Sequence, residues 1–137
     1  MDQRHREQLS TPLVTSTLIL IRFIVDKAQQ ARRIVRWEFI SPILKEARLL
    51  FVNIGNMIDG VDCKNEALQN LYSIQKQTVM VCYLEKDNRP KSSKNNKGRK
   101  KHYGFDIHAC AYIDEMCDNI IKYINNFGQN HQPYDRG

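Results

Sequence analysis

The residues with chemical potential fall into two groups. His102, His108, Cys110 and Cys117 lie within sixteen positions of one another, and a basic run immediately precedes them. A structural zinc site wants paired short spacings, such as two residues between cysteines with a matching second pair. His108 and Cys110 form one short pair and no second follows, so no metal site is expected. Cys110 and Cys117 are seven apart, on the same helical face as Ile113 and Ile120. That places them as small buried hydrophobes. Nucleophilic catalysis needs a cysteine or serine beside a histidine and an orienting acid, and no motif assembles these. Asp106 sits where an acid caps a helix. No glycine-rich phosphate loop occurs. The expectation is a non-enzymatic protein with no cofactor and no small-molecule substrate.

The basic run is the stronger signal. Residues 86–103 hold Lys86, Arg89, Lys91, Lys94, Lys97, Arg99, Lys100 and Lys101 against one acid, Asp87. Their net charge is +7, while the whole chain carries +6, so everything outside the run sums to −1. The protein reads as a near-neutral body with a cationic arm. Flexible lysines and arginines neutralise phosphates and release counterions, which gives salt-sensitive, sequence-independent binding to RNA or DNA. Tyr103 adds a ring able to stack on a base. On the first amphipathic segment Arg22, Arg33 and Arg36 share a face, with Arg32 nearby. The expected nucleic-acid-binding set is Lys91, Lys94, Lys97, Arg99, Lys100, Lys101, Tyr103, Arg33 and Arg36. The competing expectations are a targeting signal or a solvated loop for the run, and a protein-interaction or scaffold module for the body, using an apolar inter-helix groove or self-association into an oligomer.

The elements that must carry these residues follow from period and punctuation. Thr11-Pro12 and Ser41-Pro42 each read as a capping residue followed by proline at the first helical position. Between them Leu20, Ile24, Ala28, Ala31 and Val35 recur at steps of three and four, opposite Arg22, Asp26, Gln29, Arg33 and Arg36, which predicts a helix over 12–40. Ile43, Leu44, Ala47, Leu50, Phe51, Ile54 and Ile58 predict a second over 42–58, closed at Asp59-Gly60 by a left-handed glycine. Asp62 caps a third, 62–84. Its tail, Thr78 to Leu84, reads as buried helix or short strand, and helix is favoured because no partner strand is visible. Asp106 opens the fourth, 105–127, which carries a wide apolar face and stops at Gly128. Trp37 is expected to cap the core where two helices cross.

The fold class is therefore all-α: one domain of 137 residues, an antiparallel four-helix bundle with short links and a long basic loop between helices three and four. Residues 1–10 and 129–137 are expected to fray. Helix one exceeds helix two by more than a turn, which motivates self-association. The apolar stretch at Leu13–Val25 is broken by Thr15, Ser16, Thr17 and Arg22, so no membrane span is expected. With no secretory leader, Cys63, Cys82, Cys110 and Cys117 are expected reduced, and the protein intracellular, cytoplasmic or nuclear.

Overall fold

The computed structural model describes residues 3–31, 37–87 and 105–129, with side chains over 11–30, 37–82 and 105–127. Four helices account for nearly all of them: α1 (Gln3–Ala31), α2 (Trp37–Ile58), α3 (Lys64–Asp87) and α4 (Ile107–Gln129). Each packs against two others. The pairs in contact are α1 with α2, α2 with α3, α3 with α4, and α4 with α1. No contact crosses a diagonal among the described residues. The protein is an all-helical bundle with one central core.

That core is built at helical spacing. Leu13, Leu20, Ile24 and Ala28 come from α1, and Ile40, Ile43, Ala47, Leu50, Ile54 and Met57 from α2. Ala67, Leu71, Ile74 and Val81 come from α3, and Ile113, Met116, Cys117, Ile120 and Ile124 from α4. One polar side chain on the buried face of α1, Thr17, satisfies itself by donating to the Leu13 carbonyl at 2.8 Å, one turn back.

The helix boundaries depart from the proline signals. α1 begins at Gln3, well before Thr11-Pro12, so Pro12 lies inside the helix and residues 3–10 are helical backbone. α1 ends at Ala31 and α2 starts at Trp37, with Pro42 inside it. Residues 32–36, which hold Arg32, Arg33 and Arg36, lie outside the described residues, and Ser41-Pro42 lies within α2. An interior proline removes one hydrogen bond and crowds the carbonyl four residues back, while its fixed φ suits a helix. The apolar faces that bury Leu13, Leu20 and Ile24 on α1 and Ile40, Ile43 and Ala47 on α2 offset that loss. α1 still exceeds α2, at 29 residues against 22, a surplus of about 10 Å at 1.5 Å per residue.

Other boundaries follow the sequence closely. Val61 N–H donates to the Asn56 carbonyl at 2.8 Å and Gly60 N–H to that of Met57 at 3.0 Å. Gly60 has φ of 93°. This is a Schellman closure, with glycine taking the left-handed position. α3 opens one residue later than its expected cap, with the Cys63 carbonyl accepting from Ala67 N–H. It continues as helix through 78–84 to Asp87. α4 runs one residue beyond Gly128. No helix among the described residues is long and apolar enough to cross a membrane.

Tyr72, Ile107 and Ala111, which extend the apolar faces on paper, point to solvent. So does Trp37, at 59% exposure, which corrects its expected place over the core. With α2 starting at Trp37, that residue occupies the helix's first position, beyond the last layer of core side chains.

Candidate functional site

The cationic run begins at the end of α3 and ends just before α4. Lys91, Lys94, Lys97, Arg99, Lys100, Lys101 and Tyr103 lie outside the described residues, as do Arg33 and Arg36. Arg22 is the one cation of the expected helical stripe among the described residues. The structure does describe both shoulders of the run, and it joins them. Cys82, in the last turns of α3, and Cys110, in the first turn of α4, form a disulfide with Cα atoms 6.9 Å apart.

This bridge overturns the expectation that all four cysteines are thiols. Nothing in the spacing pairs Cys82 with Cys110, which are 28 residues apart. The packing of α3 on α4 brings them together. Gln75 fixes that packing by donating to the Asp118 carboxylate at 2.8 Å and to the Asp114 carbonyl at 3.3 Å. Phe105 is buried beside the bridge. Its carbonyl oxygen lies 3.9 Å from Cys82 Sγ and 3.6 Å from Cys110 Sγ.

Asp106 then opens α4 as its sequence position implies. Its carboxylate accepts from Ala109 N–H at 2.9 Å, and its carbonyl accepts from Cys110 N–H. The Ala109 hydrogen bond holds the carboxyl below the usual aspartate value, with smaller help from Lys27 and His108 and against some desolvation. Thr78, only 2% exposed and near the bridge on α3, has a hydroxyl with no hydrogen-bond partner.

The remaining chemistry-bearing side chains do not converge. His108 is exposed. Cys117 is buried, and desolvation, with the charges of Asp114 and Asp118 adding to it, pushes its thiol up to about 12. A thiol in that state is a poor nucleophile. No cluster of three or more histidine, cysteine or acidic side chains suited to a metal occurs among the described residues.

A second feature lies on the opposite side of the bundle. On α1, Phe23 flanks the core and stacks tilted against Tyr112 of α4, ring centroids 4.5 Å apart. At 100° per residue, Val14, Leu18, Ile21 and Val25 fall on the other flank, the one turned toward α2. On α2, Glu46 and Asn53 meet α3: Asn70 donates to Glu46 at 2.8 Å and accepts from Asn53 at 2.7 Å. Leu44, Phe51 and Ile58 therefore sit on the flank turned toward α1. The two flanks line one outer groove. Val14, Ile21, Leu44 and Ile58 pack partly against the core. Leu18, Val25 and Phe51 stay 41%, 38% and 46% exposed. The signal was present in the sequence as the four-three-four spacing of Val14, Leu18, Ile21 and Val25. It was hidden because Phe51 and Ile21 also fit the core stripes.

No family model, curated protein or solved structure matches this chain.

Proposed function

We propose that this chain is a non-enzymatic helical accessory protein whose cationic run binds RNA or DNA without sequence preference. The observation that carries the reading is charge placement: eight of the chain's 21 lysines and arginines fall within residues 86–103, and the rest of the chain is slightly acidic. Linking Cys82 to Cys110 ties both shoulders of that run to one end of the α3–α4 pair, which supports its acting as a single presented arm. An antiparallel arrangement fits the cross-helix pairs, since Gln75 meets Asp118 while the later Cys82 meets the earlier Cys110. Under this reading the long basic loop between α3 and α4 is the binding element, and the protein acts in the cytoplasm or nucleus, where the bridge would be a redox-responsive one.

The test is a salt titration of binding to single-stranded RNA and duplex DNA. It compares the wild type with the quadruple variant Lys97→Gln, Arg99→Gln, Lys100→Gln, Lys101→Gln. Each phosphate contact adds about 0.7–0.9 to the slope of log affinity against log salt, so losing four should flatten it by about three. An unchanged slope and affinity would end this reading.

The exposed apolar groove between α1 and α2 favours a second reading, a protein-interaction module. Contiguous exposed apolar surface of this kind marks protein contact sites. Deleting residues 88–104 should leave a pull-down partner of the groove unaffected and remove nucleic-acid binding.

A further inference from the structure

We propose that the Cys82–Cys110 bridge is a redox switch that opens and closes in the folded protein, with a small thiol or a protein dithiol as its reductant and the Phe105 carbonyl holding the open state. The inference concerns the bridge alone and needs no nucleic acid to be bound.

Buried oxygens beside the bridge carry it. Phe105 is 2% exposed. Ala109 N–H, four residues on, would be the helical donor to its carbonyl, but the Asp106 carboxylate takes that group. Cys110 N–H goes to the Asp106 carbonyl. Among the described residues no N–H donates to the Phe105 carbonyl. Its neighbours are the two sulfurs, Cys110 Sγ at 3.6 Å and Cys82 Sγ at 3.9 Å. The Thr78 carbonyl also stands 3.9 Å from Cys110 Sγ. These are hydrogen-bonding distances for an S–H group, and a bridged sulfur has no hydrogen to give. One turn before Cys82, the Thr78 hydroxyl has no partner either. A buried polar group left unpaired costs free energy. The closed bridge thus sits beside a carbonyl without a donor, and opening it supplies two S–H groups within reach.

Exposure sets the order of events. Cys82 is half-buried, while Cys110 is 9% exposed. An incoming thiolate attacks Cys82 Sγ, forms a mixed disulfide there and expels Cys110 as a thiolate, which takes up a proton. A second thiolate attacks the reductant's sulfur in the mixed disulfide and releases Cys82, which is protonated in turn. In sum, one protein disulfide and two thiols give one protein dithiol and one disulfide of the reductant, with two electrons transferred. Closure is the reverse, with that disulfide as the oxidant. Opening leaves the helices paired, because Gln75 on Asp118 and the buried Ile74, Ile113 and Ile120 hold α3 to α4 without the bridge. Neither remaining cysteine competes. Cys63 lies at the other end of α3, and Cys117 is buried about two turns further along α4.

The test treats the whole folded chain with dithiothreitol in native buffer, quenches in acid, and counts thiols by mass after alkylation in denaturant. Alkylation of Cys117 under the same native conditions clocks unfolding. Free thiols should rise from two to four. They should do so at least about tenfold faster than Cys117 is alkylated, because opening is local and Cys117 waits for the core to open. The helical circular-dichroism signal should be retained, and oxidised glutathione should return the count to two. Raman spectroscopy of the reduced chain should show an S–H stretch lowered by hydrogen bonding, which Cys110→Ala weakens and Cys117→Ala leaves in place. Opening no faster than Cys117 alkylation overturns the proposal, because the bridge is then a staple broken only by unfolding. So does a reduced chain that loses its helical signal or cannot be closed again. An S–H stretch at the unbonded frequency removes the part given to Phe105. RNA binding by the cationic run is measured separately, and its failure would leave every one of these readouts unchanged.

Discussion

Cys82 and Cys110 stand 28 residues apart in sequence, on different helices, and are joined by a disulfide between α3 and α4. The bridge encloses the cationic run, so its closure restricts a stretch of chain that has few apolar residues of its own. The loop-entropy argument assigns a closed loop of this length about 3–4 kcal/mol of stabilisation, through the unfolded state. Chemical denaturation with and without a strong thiol reductant should therefore differ by that amount. The Cys82→Ser, Cys110→Ser variant should match the reduced wild type and be indifferent to reductant. Identical midpoints under both conditions would show that the bridge contributes no stability.

Asn70 is 7% exposed and joins α2 to α3 through both ends of its amide, one to Asn53 and one to Glu46. Buried polar groups that lose a partner keep their desolvation cost. Asn70→Ala strands two partners at once and should destabilise the bundle by about 2–3 kcal/mol in urea unfolding. A change within error would mean that water satisfies Asn53 and Glu46 equally well.

The unpartnered Thr78 hydroxyl predicts the opposite sign. It is 2% exposed and makes no hydrogen bond. Thr78→Val keeps the shape and removes the desolvated polar atom, so it should be neutral or stabilising by up to about 1 kcal/mol. A clear loss on thermal melting would reveal a partner for that oxygen.

Asp106 caps α4, and the hydrogen bond from Ala109 N–H holds its carboxyl below the usual aspartate value. A depressed folded pKa means that its contribution is present above the unfolded value and lost as pH falls below it. Stability of the wild type should thus decline in the acid range below about pH 4 more steeply than that of Asp106→Asn. At neutral pH Asp106→Ala should cost about 1 kcal/mol through the lost cap. Parallel acid limbs for wild type and Asp106→Asn would remove the carboxylate's role.

The two cysteines outside the bridge should separate by reactivity. Cys63 is half-buried at the start of α3, and Cys117 is buried with its thiol pushed up to about 12. At pH 8 an alkylating reagent should label Cys63 first and reach Cys117 only on unfolding. The raised folded value also has a stability sign. The contribution is complete below the ordinary thiol value of 9.0 and is lost as pH climbs toward 12. Cys117→Ala should flatten the alkaline limb of the stability profile.

Much of the architecture was readable residue by residue. The 3.6-residue recurrence of Leu20, Ile24 and Ala28, and of Ile113, Ile120 and Ile124, specifies helices, because only that period gathers them on one face. Gly60 and Asp106 act where their backbone and side-chain chemistry demands, at a left-handed closure and an N-cap. These are local signals, and local geometry is enough to express them. Pro12 and Pro42 mislead for the same reason: each removes one hydrogen bond locally, and burial of a whole apolar face outweighs that loss.

The charge of residues 86–103 is likewise a property of sequence alone. The bridge between Cys82 and Cys110, the Glu46–Asn70–Asn53 link and the groove along Leu18 and Phe51 are not. Each depends on which helix lies beside which, and that is decided by the packing of four apolar faces into one core. An apolar residue one step off the buried stripe reads the same in sequence whether a neighbouring helix covers it or leaves it bare. Tertiary structure made that choice for Phe51, which stays 46% exposed although it shares the helical period of the core.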